Sequence, residues 1–226
     1  MGRALLYQAT GATPDPQKRA RLLQAALESA RHQGGYLLAV PVSMTYLLPM
    51  TPSADLAWFA GDAGRALYVA GHYEQANAWL EQIQGGAGDA VQSAASALGI
   101  YAEIAGVGPA VGLLTLPHTN SGARLMAVFE GLGQPRRVLA MIDPDQAPAE
   151  PPVPAADPAL LFSLSEAAAA HRIGETVLLS LYALGPEGPA GCNPLALSRV
   201  IAGLRQIGYD SEARAIAIEA AVAAGW

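Results

Sequence analysis

The sequence predicts an all-α protein of about 10–12 helices, packed as antiparallel pairs in an α-solenoid. Three observations predict this class. Of the 226 residues, 47 are alanine, the residue with the highest intrinsic helix propensity. Aromatic residues make up only 6%, and no stretch keeps the apolar–polar alternation of a half-buried strand. The 24 glycines and 17 prolines fall mainly between segments of helical periodicity, where helices begin and end.

N-caps and helix breakers delimit the helices along the chain. Asp15 is a good N-cap, and Pro16 occupies the first turn of the helix that follows it. Pro41 either kinks an apolar segment or begins its helix. Further N-caps are Ser53, Asn193 and Asp210. The predicted segments are 16–32, 36–48, 54–70, 73–84, 89–105, a short and ambiguous 109–114, 120–132, a short 135–142, 157–173, 175–184, 194–207 and 211–224.

One proline-rich segment divides the chain. Five of the 14 residues in 143–156 are proline, a composition that favours extended polyproline II structure and a semi-rigid spacer. The sequence therefore predicts a helical-repeat block over 1–142, a linker over 143–156, and a second helical-repeat block over 157–226. Because the second block is small for an independent core, we expect it to pack on the first block or on a partner.

Composition and charge argue against several classes. A net charge of -6 with a single lysine gives no basic surface for nucleic acid, and one cysteine excludes an internal disulfide framework. The apolar stretch 99–116 contains Glu103 and Pro109, so we expect two short buried helices and not a membrane span. The N-terminus resembles no signal peptide. These features predict a soluble protein, cytoplasmic as the chain stands and periplasmic if a signal peptide has been removed.

Glycines recur at intervals typical of two-helix repeats. The intervals between candidate turn glycines are 35, 27, 41 and 34 residues, and two of them lie at or beside the 34-residue period of a helical solenoid. The longest interval contains the proline-rich segment. The alternative is an irregular all-α bundle whose glycines are ordinary helix C-caps. The glycines concerned are Gly71, Gly106, Gly133, Gly174 and Gly208.

Residues 57–86 resemble a tetratricopeptide repeat. The resemblance implies that Gly64 is the small residue that lets the second helix of the pair approach closely, and that Gly71 ends the first helix. The proline expected at the repeat's end is replaced by Gly88, and the copy at 195–224 is weaker. The chain also has a faint compositional resemblance to Ala/Arg-rich helical-repeat proteins of alphaproteobacteria, which implies no activity. The other matching positions are Leu67, Tyr73, Ala76 and Leu80.

Catalytic and metal-binding motifs are missing from the sequence. The four histidines have no helical metal-ligand spacing, and neither a phosphate-binding loop nor a nucleophile elbow occurs. Cys192 with His118 or His171 is a conceivable nucleophile and base, but a single thiol in a helix-connecting loop is more often a packing residue. We therefore predict no enzymatic activity, no cofactor and no metal.

A protein or peptide partner is the predicted ligand. Helical-repeat proteins expose the first helix of each pair on a concave surface, where aromatic and arginine side chains favour polypeptide binding. The alternative for each of these residues is ordinary packing or a solvated position. The candidate partner-binding residues are Trp58, Arg65, Tyr68, Glu103, His171 and Arg205, with Ser93, Ser96, Asn120, Glu130 and Ser198 in the same helical phase.

The predicted function is a non-catalytic interaction scaffold or adaptor. The last helix, 211–224, is largely apolar where a free solenoid end should be polar, which predicts a partner or self-association at that end. One alternative is a helical enzyme or small-ligand-binding protein, with a pocket beside segment 143–156 or around His118 and Cys192. Another is a structural subunit held in a larger assembly by its terminal helices.

Overall fold

The computed structural model of the chain describes residues 2–108, 114–116, 119–134, 138–141, 153 and 155–226. It contains two compact units, Met1–Pro109 and Ala110–Trp226, which we call the N-terminal and C-terminal units. The boundary between the units therefore follows Pro109 and does not coincide with the proline-rich segment, where the sequence predicted it. Segment 143–156 lies almost entirely outside the described residues, so its role as a spacer stays a prediction.

The N-terminal unit is built from consecutive helices. The elements are α1 (Gly2–Ala12), α2 (Pro16–His32), α3 (Tyr36–Leu47), a 3-10 helix (Ala54–Phe59), α4 (Ala60–Val69), α5 (Tyr73–Ile83) and α6 (Asp89–Ala105). Helix α1 was not predicted from the sequence, whereas the bounds of α2 and α3 agree with the prediction to within one residue. Pro41 lies inside α3, and the predicted helix over 54–70 divides into the 3-10 helix and α4.

Local chemistry explains where these helices begin and end. The carboxylate of Asp15 accepts hydrogen bonds from the backbone N–H groups of Gln17 and Lys18, which caps α2 as predicted. Ser53, by contrast, makes no side-chain cap bond. Gly71 has φ +80°, a left-handed conformation that a residue with a side chain rarely adopts, and α4 ends just before it.

Aromatic side chains fill the core of the N-terminal unit. The Phe59 and Trp79 rings meet edge to face with their centroids 5.9 Å apart, and both side chains are buried. Tyr68 stacks on Tyr101 with a centroid separation of 5.8 Å. Gly64 provides a close approach, as predicted, but a Cβ there would lie 2.6 Å from Leu98 of α6, so the glycine accommodates α6 and not α5.

The C-terminal unit combines helices with one short strand pair. The elements are β1 (Leu114–Leu116), α7 (Asn120–Gly131), β2 (Val138–Met141), α8 (Pro158–Ala169), α9 (Ile173–Leu184), a 3-10 turn (Gly188–Ala190), α10 (Pro194–Gln206) and α11 (Asp210–Ala223). β1 and β2 are parallel, with Leu114 opposite Val138 and Leu116 opposite Met141, and α7 lies between them in the chain, as a parallel connection requires. The predicted short helix over 135–142 is therefore wrong at β2.

Helix α10 is the centre of the C-terminal unit, since α7, α8, α9 and α11 all pack against it. Glycines lie in two of these contacts, and only the first is close. A Cβ on Gly131 of α7 would lie 2.7 Å from the Ile201 Cβ and 2.8 Å from the Ser198 carbonyl oxygen. A Cβ on Gly203 of α10 would be in ordinary contact, at 3.6 Å, with α8 side-chain atoms. The all-α class is thus confirmed for the described residues apart from the strand pair, while the solenoid arrangement stays a prediction.

Candidate interaction surface

Two of the six predicted binding residues lie in the protein interior. Tyr68 is 0% exposed and stacks on Tyr73 and Tyr101, with ring centroids 6.4 and 5.8 Å away. Glu103 of α6 is also buried. Neither can contribute to an exposed concave surface in this conformation, because both are enclosed within the N-terminal unit. Ser198, which was predicted in the same helical phase, is buried under α7 in the other unit.

The other predicted residues are at least partly accessible, and they are divided between the two units. Trp58 is 42% exposed, and its indole N–H donates to the Asp55 carbonyl oxygen of its own 3-10 helix at 3.0 Å. His171 is exposed at the turn before α9, with φ 52°. Arg205 of α10 donates to the Asp210 carboxylate at 3.1 Å and to the Gly131 carbonyl oxygen at 3.5 Å, so it connects α7, α10 and α11. Trp58 and Arg65 belong to one unit, and His171 and Arg205 to the other.

Arg65 belongs to a polar cluster between helices of the N-terminal unit. The Asp62 carboxylate accepts from the Arg31 guanidinium at 2.8 Å and from the Gln24 amide at 2.9 Å. The Arg31 guanidinium also lies 5.5 Å from the centroid of the Tyr36 ring. The Arg65 guanidinium hydrogen-bonds the Tyr101 hydroxyl. The Nε of Arg65 and the hydroxyl of Tyr36 are buried without a hydrogen-bond partner among the described residues.

The two buried hydroxyls of this cluster provide a matched pair of substitutions. We expect Tyr36→Phe to leave the free energy of unfolding unchanged or to raise it by up to about 1 kcal/mol, because it removes a buried hydroxyl that has no partner among the described residues. Tyr101→Phe removes the hydrogen bond from Arg65 and should lower that free energy by about 1 kcal/mol. Urea unfolding followed by circular dichroism measures both. Equal losses in the two variants would contradict this assignment.

Buried tyrosines also predict how stability depends on pH. Burial raises the pKa of the Tyr101 hydroxyl to about 12, and it raises the pKa of Tyr36 and Tyr68 as well. Above pH 10 the unfolded chain releases tyrosine protons that the folded chain retains, so the unfolded state binds fewer protons and stability falls as the pH rises. Each of these tyrosines should lower the free energy of unfolding by up to about 1.4 kcal/mol per pH unit in that range.

Urea unfolding on either side of pH 10 tests this dependence. The unfolding midpoint should fall most steeply between pH 10 and about 12, and only weakly just below pH 10, where the Cys192 thiol, whose pKa burial also raises, contributes alone among the described residues. Tyr101→Phe should reduce the slope, because one of the contributing protons is removed. A midpoint that stays constant across the whole range would show that these hydroxyls titrate normally in the folded protein.

Helix α9 of the C-terminal unit has its apolar face outward. Leu178, Leu181 and Tyr182 are 68, 62 and 75% exposed, whereas Thr176 and Ser180 face the interior and are buried. The Thr176 hydroxyl donates to the backbone of Arg172 at 2.9 Å, and the Ser180 hydroxyl has no partner among the described residues. Apart from Leu184, which is also buried, this is the reverse of the usual arrangement for a helix on a protein surface. It buries a polar group at a cost and leaves large apolar side chains in water.

Close packing of small residues explains the orientation of α9. A Cβ on Gly203 of α10 would be 3.6 Å from Ala168 Cβ of α8 and 3.7 Å from the Thr176 methyl group. The helices therefore meet through residues with very short side chains. Rotating α9 to bury Leu178 and Tyr182 would place much larger side chains in a space that Thr176 fills, and close-packed interiors do not accommodate such a change.

Neighbouring side chains extend the exposed apolar area. Phe162 of α8 and Leu195 of α10 are exposed and line a depression of about 410 Å³ together with Arg199. A second depression of about 360 Å³ is lined by Tyr182 and adjoins the first, since both include Ala156 and Leu161. Exposed apolar areas of this kind mark interaction sites in proteins. We call the following residues the C-terminal apolar surface: Phe162, Leu178, Leu181, Tyr182 and Leu195.

The second depression lies beside residues 155–157, close to where the enzyme alternative placed a pocket. Its ionisable groups are Asp157, Glu187 and Cys192, with the Tyr182 hydroxyl. The Asp157 carboxylate is occupied as the N-cap of α8, accepting from the backbone N–H of Ala159 at 2.9 Å. Burial raises the pKa of the Cys192 thiol, which is the opposite of nucleophile activation. Of the two histidines suggested as the base, His118 lies outside the described residues and His171 does not line this depression.

The last helix does not expose the apolar surface that was predicted from its sequence. In α11 the interior positions are occupied mainly by Ala213, Ala217 and Ile218, whereas Ile216 and Val222 are half-buried. The exposed positions are Asp210, Ser211, Glu212, Ala215 and Ala223. The apolar residues of this helix pack on α7, on α10 and on the 3-10 turn, so the exposed large side chains lie on α8–α10 instead. The sequence signal for the exposed side chains of α9 is its composition, which is apolar on nearly all sides.

Neither a membrane span nor a metal site occurs among the described residues. No helix there is both long and apolar enough to span a bilayer. Histidine, cysteine and carboxylate side chains do not form a group that could hold a metal ion in the part of the chain that the structure describes. Comparison of the chain with protein-family models, with curated proteins and with solved structures found no match.

Proposed function

We propose that this protein is a non-catalytic interaction module that docks another polypeptide on the C-terminal apolar surface. The observation that carries the proposal is the orientation of α9, with Leu178, Leu181 and Tyr182 outward and Thr176 and Ser180 inward. Aromatic and large aliphatic side chains are the residues that bury most favourably at protein interfaces. Covering them with a partner removes the cost of exposing them to water.

A tetratricopeptide-like arrangement of the helices belongs to the same proposal. In its favour, α4 packs against α5 and both pack against α6, Gly64 lies in a close contact with α6, and Ala76 of α5 is buried. The proposal moves the docking site away from the concave face of the repeat, because Tyr68 is enclosed in the core there. Trp58 and Arg65 then have local roles, the first within its own 3-10 helix and the second in the polar cluster.

A structural subunit of a larger assembly is the second candidate. It is favoured by a further exposed apolar area on α3, where Leu38 is 82% exposed and Leu37 and Val42 are also exposed. An assembly subunit would cover both areas permanently. An interaction module would leave the α3 area uncovered and use the C-terminal apolar surface alone.

Site-specific photo-crosslinking tests the proposed function. Tyr182 is replaced with benzoylphenylalanine in one variant, and exposed Ser93 of α6 is replaced in a control. We expect one discrete adduct of reproducible mass from position 182 and none from position 93, because only the first lies on the C-terminal apolar surface. Adding Leu178→Asp to the first variant should abolish the adduct. If position 182 gives no adduct, or gives one that Leu178→Asp leaves unchanged, the proposal is wrong.

A further inference from the structure

The exposed side of α9 is complementary to itself. Gly174, Leu178, Leu181 and Tyr182 have the spacing that places residues on one face of a helix, Gly185 follows directly after the last residue of α9, and all five are exposed. In an antiparallel pair of α9 helices centred between positions 179 and 180, Leu178 faces Leu181 of the other copy and Gly174 faces Gly185. A two-fold symmetric interface requires the same patch on both chains, and this face meets that requirement without a clash of charges.

Gly174 has no function in the packing of its own chain among the described residues. It lies in the first turn of α9, and a Cβ built on it would meet nothing within 4 Å. Its backbone does not adopt the left-handed conformation that favours glycine. Glycine has a lower helix propensity than alanine, and neither local geometry nor a neighbouring side chain among the described residues explains its presence here. Close approach of a second helix from outside does explain it.

The charge at the edge of the face is already neutralised. Glu175 lies at the rim, and Arg172 forms an ion pair with its carboxylate. The centre of the face, at Leu178 and Leu181, carries no charge. Two copies of a chain with a net charge of -6 can therefore meet here without placing like charges in contact.

We propose that the α9 face is covered by a second copy of this chain, in an antiparallel α9–α9 pair about a two-fold axis. The inference rests on the proposed function, because it names the polypeptide that docks on the C-terminal apolar surface. An amphipathic helix from a different protein is the rival occupant, and it does not require the symmetric pairing of Leu178 with Leu181.

Sedimentation equilibrium of the full chain, over a range of protein concentrations, tests the pairing. We expect a monomer–dimer equilibrium in the wild type. Leu178→Lys and Leu181→Asp should each raise the dimer dissociation constant at least about tenfold, since each places a charge in an apolar contact. Mixing the two variants should restore the dimer, because the new lysine of one copy then faces the new aspartate of the other while the second contact stays leucine on leucine.

Two further variants separate pairing from folding. Gly174→Ala should raise the thermal stability of the monomer slightly and weaken the dimer, a combination that a purely structural role does not produce. Leu38→Lys, on the exposed α3 area, should leave the dissociation constant unchanged. Any one of three results would overturn the inference. The wild type could stay monomeric, neither charged variant could weaken the dimer, or the two charged variants could fail to associate when mixed. A monomeric wild type that still forms a heterologous adduct at position 182 would leave the proposed function intact.

Discussion

Replacing Trp79 with alanine should lower the free energy of unfolding by about 3–5 kcal/mol, the largest effect expected from a single change in this protein. Trp79 is among the largest fully buried side chains, and it meets the Phe59 ring edge to face at 5.9 Å. Truncation removes its apolar area from the core and leaves a cavity that the surrounding helices can only partly fill. Urea unfolding followed by circular dichroism measures the loss.

Trp58→Ala is the matched control for Trp79→Ala. The two residues are of the same type and lie in the same unit, but Trp58 is exposed and its indole N–H bonds to Asp55 in its own turn. We expect a loss below about 1 kcal/mol. Similar losses in the two variants would show that Trp79 is not the centre of this core.

Gly131→Ala should lower the free energy of unfolding by about 1–3 kcal/mol, the second largest effect, because the added methyl group has no space. Its Cβ would lie 2.7 Å from the Cβ of Ile201 and 2.8 Å from the backbone oxygen of Ser198. A flexible side-chain end could move aside, but these atoms belong to the backbone and stem of α10, on which the other helices of the unit pack. The whole of α7 must therefore shift.

Gly203→Ala tests whether the loss at Gly131 comes from this contact. Gly203 also lies in a buried helix–helix contact, yet its Cβ would meet neighbours at 3.6 Å or more, which is ordinary van der Waals distance. Since alanine favours the helix, we expect stability to be unchanged or raised by about 0.4–1 kcal/mol. Measured side by side, the thermal unfolding midpoint should fall in Gly131→Ala and stay unchanged or rise in Gly203→Ala. A loss in Gly203→Ala as large as that in Gly131→Ala would contradict the packing described for α10.

Local signals in the sequence predicted the helices well. Asp15, Asn193 and Gly71 act through their own hydrogen bonds and dihedral angles, so the sequence contains all the information that places them. The close approach at Gly64 was also predictable, because only a small residue permits it. Its partner was not, since whether α5 or α6 meets Gly64 depends on how the helices assemble.

The C-terminal apolar surface could not be predicted from the pattern of apolar residues. That reasoning assumes that the larger apolar side chains of a helix face inward, so it predicts no exposed surface on Leu178, Leu181 or Tyr182. The repeat alignment instead assigned Tyr68 to an exposed face. In α9 the assumption fails, because the space left by Gly203 and Ala168 admits Thr176 and excludes leucine or tyrosine. Such a limit on side-chain volume arises where α9 packs on other helices. The pattern of apolar residues within α9 therefore does not predict it.

Radical footprinting of α9 in the intact cells that produce the protein tests the central claim most directly. The method labels accessible side chains, and the isolated chain exposes Leu178, Leu181 and Tyr182 extensively. If the C-terminal apolar surface docks a polypeptide, these three residues should be protected in the cell, and the Leu178→Asp variant should label Leu181 and Tyr182 in proportion to their exposure. The contrary result is full labelling of all three residues in the wild type, with Leu181 and Tyr182 labelled as strongly as in Leu178→Asp. That result would contradict the claim that this surface is a docking site.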